Sequence, residues 1–368
     1  MTFADHLAAA RATFRAWLDA VPEGGRVVVF CHFDADGLGA GAVFGRGLAR
    51  LGLDVEVVSS GRDESAFSEG ARERLAALGP DALVVTDLGV NEAGTLEPAV
   101  PVLYVDHHRP SGEPAGAFVV SGYDWDPIPC SAWLAYDLVV DVVDVADLDW
   151  IAAVGVLSDL GDKAPWPMLP AVKKRHTAKW LKETVALVNA ARRAPTFDAE
   201  TALDALMAFD DPKTLATAES PAADRLRAAR TVVKDEVAEA RKAAPMFSER
   251  DVAVPDGIAP DGLRFALVRV HSAAQVHPLI AQQWRGRLKE YPVICANTGY
   301  LDGIVAFSTR AARRDVRLPE IYQAIDTPGW NGRWGHGHDQ ASGGHLPPDV
   351  FNAVLDALGF GPEAHVGG

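Results

Sequence analysis

Apolar positions along the chain follow two rhythms. Short runs rich in β-branched residues, Arg26-Val27-Val28-Val29-Phe30, Ala82-Leu83-Val84-Val85-Thr86 and Val102-Leu103-Tyr104-Val105, are bounded by polar or glycine-bearing segments and predict buried strands. Elsewhere the spacing is helical. In residues 1–22, Phe3, Leu7, Ala10, Phe14, Trp17 and Leu18 fall on one face, and Val21-Pro22 with Gly24-Gly25 ends the helix. The alternation from Arg26 to about Asp162 predicts βαβ units, a parallel sheet and right-handed crossovers, with a helix over Cys130–Val140 after Pro127-Ile128-Pro129.

The rhythm changes further along. Residues 171–245 carry almost no strand signal; Ala171–Ala191 and Ala222–Ala243 predict helices, broken by Asp210-Asp211-Pro212 and Ser220-Pro221. After Pro245, Leu263–Val270, Tyr291–Ala296 and Gly303–Ser308 predict strands again. A chain of 368 residues exceeds what one core usually supports. The expected architecture is therefore α/β. A doubly wound parallel sheet fills residues 1–170, a helical connector 171–245, and a smaller α/β domain 246–368.

The strand ends carry the chemistry. The first run continues into Cys31-His32-Phe33-Asp34-Ala35-Asp36-Gly37 and then the helical Leu38–Leu51. In an extended segment, residues i, i+2 and i+4 point the same way, so His32, Asp34 and Asp36 are expected to converge. The second run ends in Asp87, the third in Asp106-His107-His108, and the apolar Ile151–Leu157 ends in Ser158-Asp159. Ligands of open parallel sheets bind beyond the carboxyl ends of the strands. An Asp after a βα turn commonly caps the next helix, but capping explains neither the histidines nor four such termini together. Acid and imidazole groups packed this closely repel one another unless a cation sits among them. Hard oxygen and imidazole donors without thiolates suit Mn²⁺, with Mg²⁺ or Co²⁺ as substitutes. Cys31 faces away from His32 and reads as a buried filler.

These segments, in this order, resemble the motifs of the DHH phosphoesterase family: His32-x-Asp34-x-Asp36, Asp87, Asp106-His107-His108 and Asp159. That family includes RecJ-type exonucleases, oligoribonucleases, cyclic-dinucleotide phosphodiesterases and family II pyrophosphatases. The short His-x-Asp-x-Asp spacing is similar to RecJ-like proteins of archaeal type. Near the C-terminus, Gly335-His336-Gly337-His338-Asp339-Gln340-Ala341-Ser342-Gly343-Gly344 resembles the glycine-rich loop of the DHH-associated domain, with His336 where the family usually has Gly. Phe307-Ser308-Thr309-Arg310 resembles that domain's Ser-x-Arg strand, with Ala311 in place of a frequent Ser.

The resemblance implies a hydrolase with two Mn²⁺-class ions per chain. His32 and Asp34 would hold the first ion, Asp36, His107 and Asp159 the second, and Asp87 would bridge. His108 would face the substrate, and Asp106 would orient a ligating His. Ser308, Arg310, Gly335, Gly337 and His338 would bind phosphate; Arg109, beside His108, is a further phosphate candidate. Trp330 and Trp334 flank the loop, either to stack a base or to pack the core. Arg313, Arg314 and Arg317 read as a solvated face.

Charge bears on the substrate. The net charge is −15; residues 246–368 hold 11 basic and 13 acidic residues, so residues 1–245 carry nearly all of it. Gripping long nucleic acid relies on neutralising many phosphates, so an acidic chain fits short substrates better. The expected activity is exonucleolytic hydrolysis of single-stranded or short oligonucleotides, DNA or RNA, by a monomer or homodimer. Two alternatives are a phosphoesterase of dinucleotides, nanoRNA, cyclic dinucleotides or 3′-phosphoadenosine 5′-phosphate, and a catalytically silent, replisome-associated binding protein. Three unclustered cysteines fit reduced thiols in a cytoplasm. No apolar run approaches the roughly 20 residues of a membrane helix, and the first residues lack a basic leader.

Overall fold

The computed structural model describes the chain except residues 63, 96–99, 253–256, 328–329, 331–333 and 368 and the side chain of His336. It divides into two compact units, residues 1–192 with 196–230, and residues 193–195 with 231–368. Among the described residues, no helix is long and apolar enough to cross a membrane.

The first unit opens with α1 (Phe3–Ala20), β1 (Arg26–Cys31), α2 (Ala35–Arg50), β2 (Asp54–Ser59), α3 (Glu69–Ala77), β3 (Ala82–Thr86), β4 (Val102–Asp106) and β5 (Phe118–Ser121). Helices follow: α4 (Ser131–Val139), α5 (Asp149–Asp159), α6 (Leu169–His176), α7 (Ala178–Arg193), α8 (Ala199–Ala208), α9 (Pro212–Thr217) and α10 (Pro221–Ala240), whose second half from Thr231 on belongs to the second unit. The strands form a parallel sheet in the order β2-β1-β3-β4-β5. β1, β3 and β4 are buried almost throughout, as strands covered on both faces must be. One face packs on α1, α2, α4 and α5 through Phe14, Trp17, Phe44, Trp133 and Trp150; the other buries Phe30, Leu83 and Tyr104 against Leu75 of α3. The strand order reverses direction between β1 and β3, so their carboxyl ends flank the crevice where such sheets bind ligands.

The predicted Ala171–Ala191 helix is two helices, α6 and α7, parted at Thr177, whose φ of 63° breaks the helical path. The helices of residues 196–230 pack within the first unit.

The second unit contains β6 (Met246–Phe247), β7 (Ala266–Val270), α11 (His277–Arg287), β8 (Val293–Leu301), β9 (Ile304–Arg310), α12 (Leu318–Gln323), β10 (His336–His338), β11 (Ala341–Leu346) and α13 (Pro348–Ala357). Its sheet has the order β10-β11-β9-β8-β7-β6, with β7 and β8 parallel and the remaining pairs antiparallel. The glycine-rich segment expected as a loop is therefore largely a hairpin, β10 and β11. Glycine is what lets β11 lie there, since a Cβ on Gly343 would sit 2.4 Å from the Phe307 carbonyl oxygen of β9.

Candidate metal centre

Each site residue of the first unit is set by the end of an element. β1 ends at Cys31, and the His32 N–H donates to the Thr86 carbonyl at the end of β3 (3.2 Å). Asp34 is the N-cap of α2: its Oδ1 accepts from the backbone N–H of Asp36 (3.0 Å) and Gly37 (3.2 Å). Asp36 therefore lies in the first turn of a helix. The extended alternation expected of His32, Asp34 and Asp36 gives way to a strand-to-helix turn, which sends the carboxylates of Asp34 and Asp36 to different neighbours.

Asp36 is buried, and its carboxylate accepts the backbone N–H groups of Ser131 (2.8 Å) and Ala132 (3.0 Å) at the start of α4. Those bonds tie the N-termini of α2 and α4 together. α5 reaches the same point because residue 155 is glycine: a Cβ there would lie 2.4 Å from the Ala132 Cβ and 2.8 Å from an Asp36 carboxylate oxygen. Asp159, exposed at the end of α5, thereby joins Asp36 and His107.

Asp87 is the centre. It follows β3 with a φ of 63°, an uncommon value for a non-glycine residue and one Asp tolerates better than most. Its side chain is 3% exposed. Its Oδ2 lies 3.5 Å from His32 Nδ1, whose other neighbour is Asp34 Oδ1 at 3.4 Å. Its Oδ1 lies 3.4 Å from His107 Nε2, which is also 3.7 Å from Asp36 Oδ2. One carboxylate thus presents an oxygen to each of two donor groups, His32 with Asp34 and His107 with Asp36. In each of three sets, His32-Asp34-Asp87, Asp36-His107-Asp159 and Asp87-His107-His108, the donor atoms lie within 4.8 Å of one another.

The electrostatics follow from this crowding. Burial opposes charge on His32, but Asp34 and Asp87 outweigh it and push its pKa up to about 10. His107 is likewise pushed up to about 10 against burial, by Asp87 and Asp36. Burial would raise Asp87, yet the hydrogen bonds of His107 and His32 hold it well below the usual carboxylate range. Asp36 goes the other way: burial and the charges of Asp87 and Asp159 push it well up. The upward push on both imidazoles and on Asp36 shares one cause, several carboxylates crowded together with little positive charge among them. Four carboxylates and two or three imidazoles fit hard divalent cations. The residues present thus suit the two-ion site that the motifs imply.

Asp106, at the end of β4, is 1% exposed and turns toward His108. Its Oδ1 accepts the His108 backbone N–H (2.6 Å) and faces Nδ1 of that ring (3.1 Å), while Oδ2 accepts the Gly89 N–H (2.8 Å). The imidazole it orients is thus His108. Burial opposes charge on that ring, but Asp106 and Asp87 raise its pKa. Arg109 is exposed beside it.

Two contributors carry no motif. Ser131 Oγ donates to Asp87 Oδ1 at 2.9 Å. Arg192 of α7 reaches within 3.9 Å of Asp34 Oδ2 and bonds Asn189 Oδ1 (3.1 Å), and Asn189 in turn donates to Ser158 Oγ (2.9 Å). The only sequence signal for Ser131 is its place as the first residue of a helix shortly after Pro-Ile-Pro; Arg192 has none.

The remaining candidates lie in the second unit. Arg310, half-buried at the end of β9, donates to Ser308 Oγ (2.8 Å) and the Thr309 carbonyl (3.0 Å), and burial with the Arg285 charge lowers its pKa. Gly335 and Gly337 have φ of 70° and 135°, and His338 ends β10, exposed. Trp334 packs on Phe307 and Tyr322, and Trp330 against the same core, so core packing is the role the structure displays for both.

The profile of the DHH family, N-terminal domain, matches residues 26–158. The single-stranded-DNA-specific exonuclease RecJ of Thermus thermophilus is 31% identical over 167 residues, covering 40% of this chain and 24% of that protein. The crystal structure of RecJ from Thermus thermophilus in complex with Mn²⁺ is similar with a TM-score of 0.63 at 20% identity, over 95% of this chain and 54% of that one. A crystal structure of exonuclease RecJ bound to manganese gives 0.60 at 21% identity, covering 95% and 93%. The chain thus spans about a quarter of the first of these relatives and half of the second. With the motif segments gathered at the carboxyl ends of β1, β3 and β4 and the end of α5, residues 26–158 match the N-terminal domain of the DHH family, and the fold of the chain is RecJ-like.

Proposed function

We propose that the chain is a two-metal phosphodiesterase that removes nucleotides from single-stranded or short oligonucleotides. The observation that carries this reading is Asp87, whose two oxygens each serve a separate histidine-carboxylate set. His32 and Asp34 would hold one ion and Asp36, His107 and Asp159 the other, with Asp87 shared. Bound divalent ions, Mn²⁺ above all, would polarise the phosphoryl group and lower the pKa of the attacking water.

The chain's own residues supply the rest. Ser131 and the α4 backbone fix the orientation of Asp87 and Asp36. Asp106 fixes the His108 ring through Nδ1, so Nε2 is the nitrogen that hands a proton to the leaving oxygen. In the second unit, Arg310 binds a substrate phosphate with a charge that its hydroxyl and carbonyl partners do not neutralise. Ser308 orients it, and Gly335, Gly337 and His338 extend the same phosphate contact. The acidic first unit favours short substrates.

A panel of end-labelled DNA and RNA from dinucleotide to about 30-mer, with Mn²⁺, tests the reading. Stepwise release of mononucleotides is the expected result. Cleavage confined to dinucleotides moves the assignment to a dinucleotide phosphoesterase, and binding without cleavage moves it to a silent binding protein.

A further inference from the structure

Beside the metal centre, within the first unit, lies an open cavity of about 610 Å³. It sits beyond the carboxyl end of β2, whose Ser59 pairs with Cys31 of β1, one residue before His32. From its geometry we infer that this cavity is the seat of a nucleobase belonging to a nucleotide that flanks the scissile phosphate. The inference rests on the phosphodiesterase reading and extends it to the part of the substrate that does not react.

Three observations carry it. The first is a platform. Phe197 lines the cavity with its ring 5.1 Å from that of Phe33, edge to face, and Phe33 lies 4.2 Å from the His32 ring. The guanidinium of Arg62 stands 4.9 Å over Phe197. A chain of ring contacts thus runs from a metal-site histidine to the cavity wall, and aromatic faces of this kind stack bases.

The second is strain. Phe197 has a φ of 47°, a conformation that is a genuine outlier for a bulky residue. It is held there between α7 and Asp198, the N-cap of α8. Backbone strain of this sort persists where the surroundings over-determine it, and such places cluster at ligand sites.

The third is the sign of the wall. Glu64, Asp198 and Glu200 all line the cavity. Of the two cations beside it, Arg74 is bound to Glu64 at 2.7 Å and Arg62 stands over the Phe197 ring, against three carboxylates on the wall. The N-termini of α3 and α8 are likewise satisfied, by Ser68 Oγ and the Asp198 carboxylate. Among the described residues, Glu200 receives one hydrogen bond, from Ser59 Oγ, which leaves lone pairs for others. Such a wall repels a phosphate and accepts from N–H donors. A neutral, flat group with an exocyclic amine matches it, and that is a nucleobase. A cavity of this volume falls in the range that encloses small ligands.

The test compares a dinucleotide carrying amino-bearing bases with its abasic analogue. Wild-type protein is expected to favour the former in kcat/KM by about 10-fold or more, through KM, and Phe197→Ala to erase that preference; Phe197→Trp, which keeps a stacking face, is expected to retain it. Glu200→Gln should weaken the preference in the same direction. A Phe197→Ala preference equal to wild type overturns the inference while leaving the phosphodiesterase reading standing. Guanosine, which has no phosphate, separates the two readings if no substrate is cleaved. Saturable binding by wild type, lost in Phe197→Ala, supports the cavity's assignment, and absence of binding to wild type overturns it.

Discussion

Ser131 is bonded twice to the site: its Oγ donates to Asp87 Oδ1 at 2.9 Å, while its backbone N–H donates to Asp36 Oδ2 at 2.8 Å. One residue at the start of α4 therefore orients carboxylates that come from two different segments. Removing the hydroxyl leaves a buried Asp87 oxygen with one partner fewer. Ser131→Ala is expected to lower divalent-ion affinity by roughly 10–100-fold, as loss of a partner that orients a ligand does. A Mn²⁺ titration followed by calorimetry checks this; unchanged affinity would show that the backbone alone sets the geometry.

Asp87→Asn isolates the charge of the central carboxylate. Asn tolerates the left-handed backbone found at this position, so the fold should survive. The expected outcome is loss of at least one ion by elemental analysis together with loss of hydrolysis, because Asp87 adjoins both His32 and His107. Full metal content with full activity in this variant would remove the bridge from the assignment.

The adjacent histidines separate by their partners. His107 is buried among Asp87 and Asp36, whereas the His108 side chain is 44% exposed and leans on Asp106. His107→Ala is expected to lose metal and turnover together. His108→Ala should keep its metal and lose turnover by about 10²–10⁴-fold, the range for removal of a general acid. Metal lost from the His108 variant alone would exchange the two roles.

How much of the site is legible in the sequence depends on the range of each signal. Val27 to Phe30, Ala82 to Thr86 and Val102 to Val105 are strands because a parallel sheet covered on both faces demands continuous apolar runs. Asp34, Asp87, Asp106 and Asp159 can be placed because each sits where such a run ends. Asp36 lies at the expected edge but not by the expected geometry, since Asp34 caps α2 and turns the chain out of the extended state. Ala341–Leu346 does not read as a strand at all, because its glycines are there to let β11 approach β9. Arg192 and Phe197 lie more than 150 residues from His32, and no local pattern announces a long-range contact.

Asp137, on α4 and away from the metal cluster, offers a pH-dependent test of the fold. Burial pushes its pKa up to about 6, against a hydrogen bond from Trp133 Nε1 (2.8 Å) and the charge of Arg11. A carboxyl raised in the folded state binds its proton more tightly there than in the unfolded chain. Its contribution to stability is therefore fully present below the unfolded value near 4 and is lost as pH rises through about 6. Asp137→Asn keeps an acceptor for Trp133 and carries no charge. It is expected to be more stable than wild type at pH 8 by up to about 3 kcal/mol, with the gap closing toward pH 4. Denaturant unfolding at the two pH values checks it, and a constant gap would contradict the burial argument.

Arg310 tests whether the second unit takes part in substrate binding. Its guanidinium is half-buried, its neighbours Ser308 Oγ and the Thr309 carbonyl satisfy donors without supplying negative charge, and Arg285 adds like charge. Among the described residues no carboxylate pairs with this cation, and a substrate phosphate supplies a counter-ion. Losing a hydrogen bond to a charged group costs roughly 1.5–3 kcal/mol, so Arg310→Ala should raise KM by about 10–150-fold with a smaller change in kcat. Arg310→Lys keeps the charge but not the planar fork, and should recover only part of the loss. Because Arg310 belongs to a different compact unit from the metal cluster, metal content should be untouched in both variants. An unchanged KM for oligonucleotides in Arg310→Ala would assign the second unit some other task.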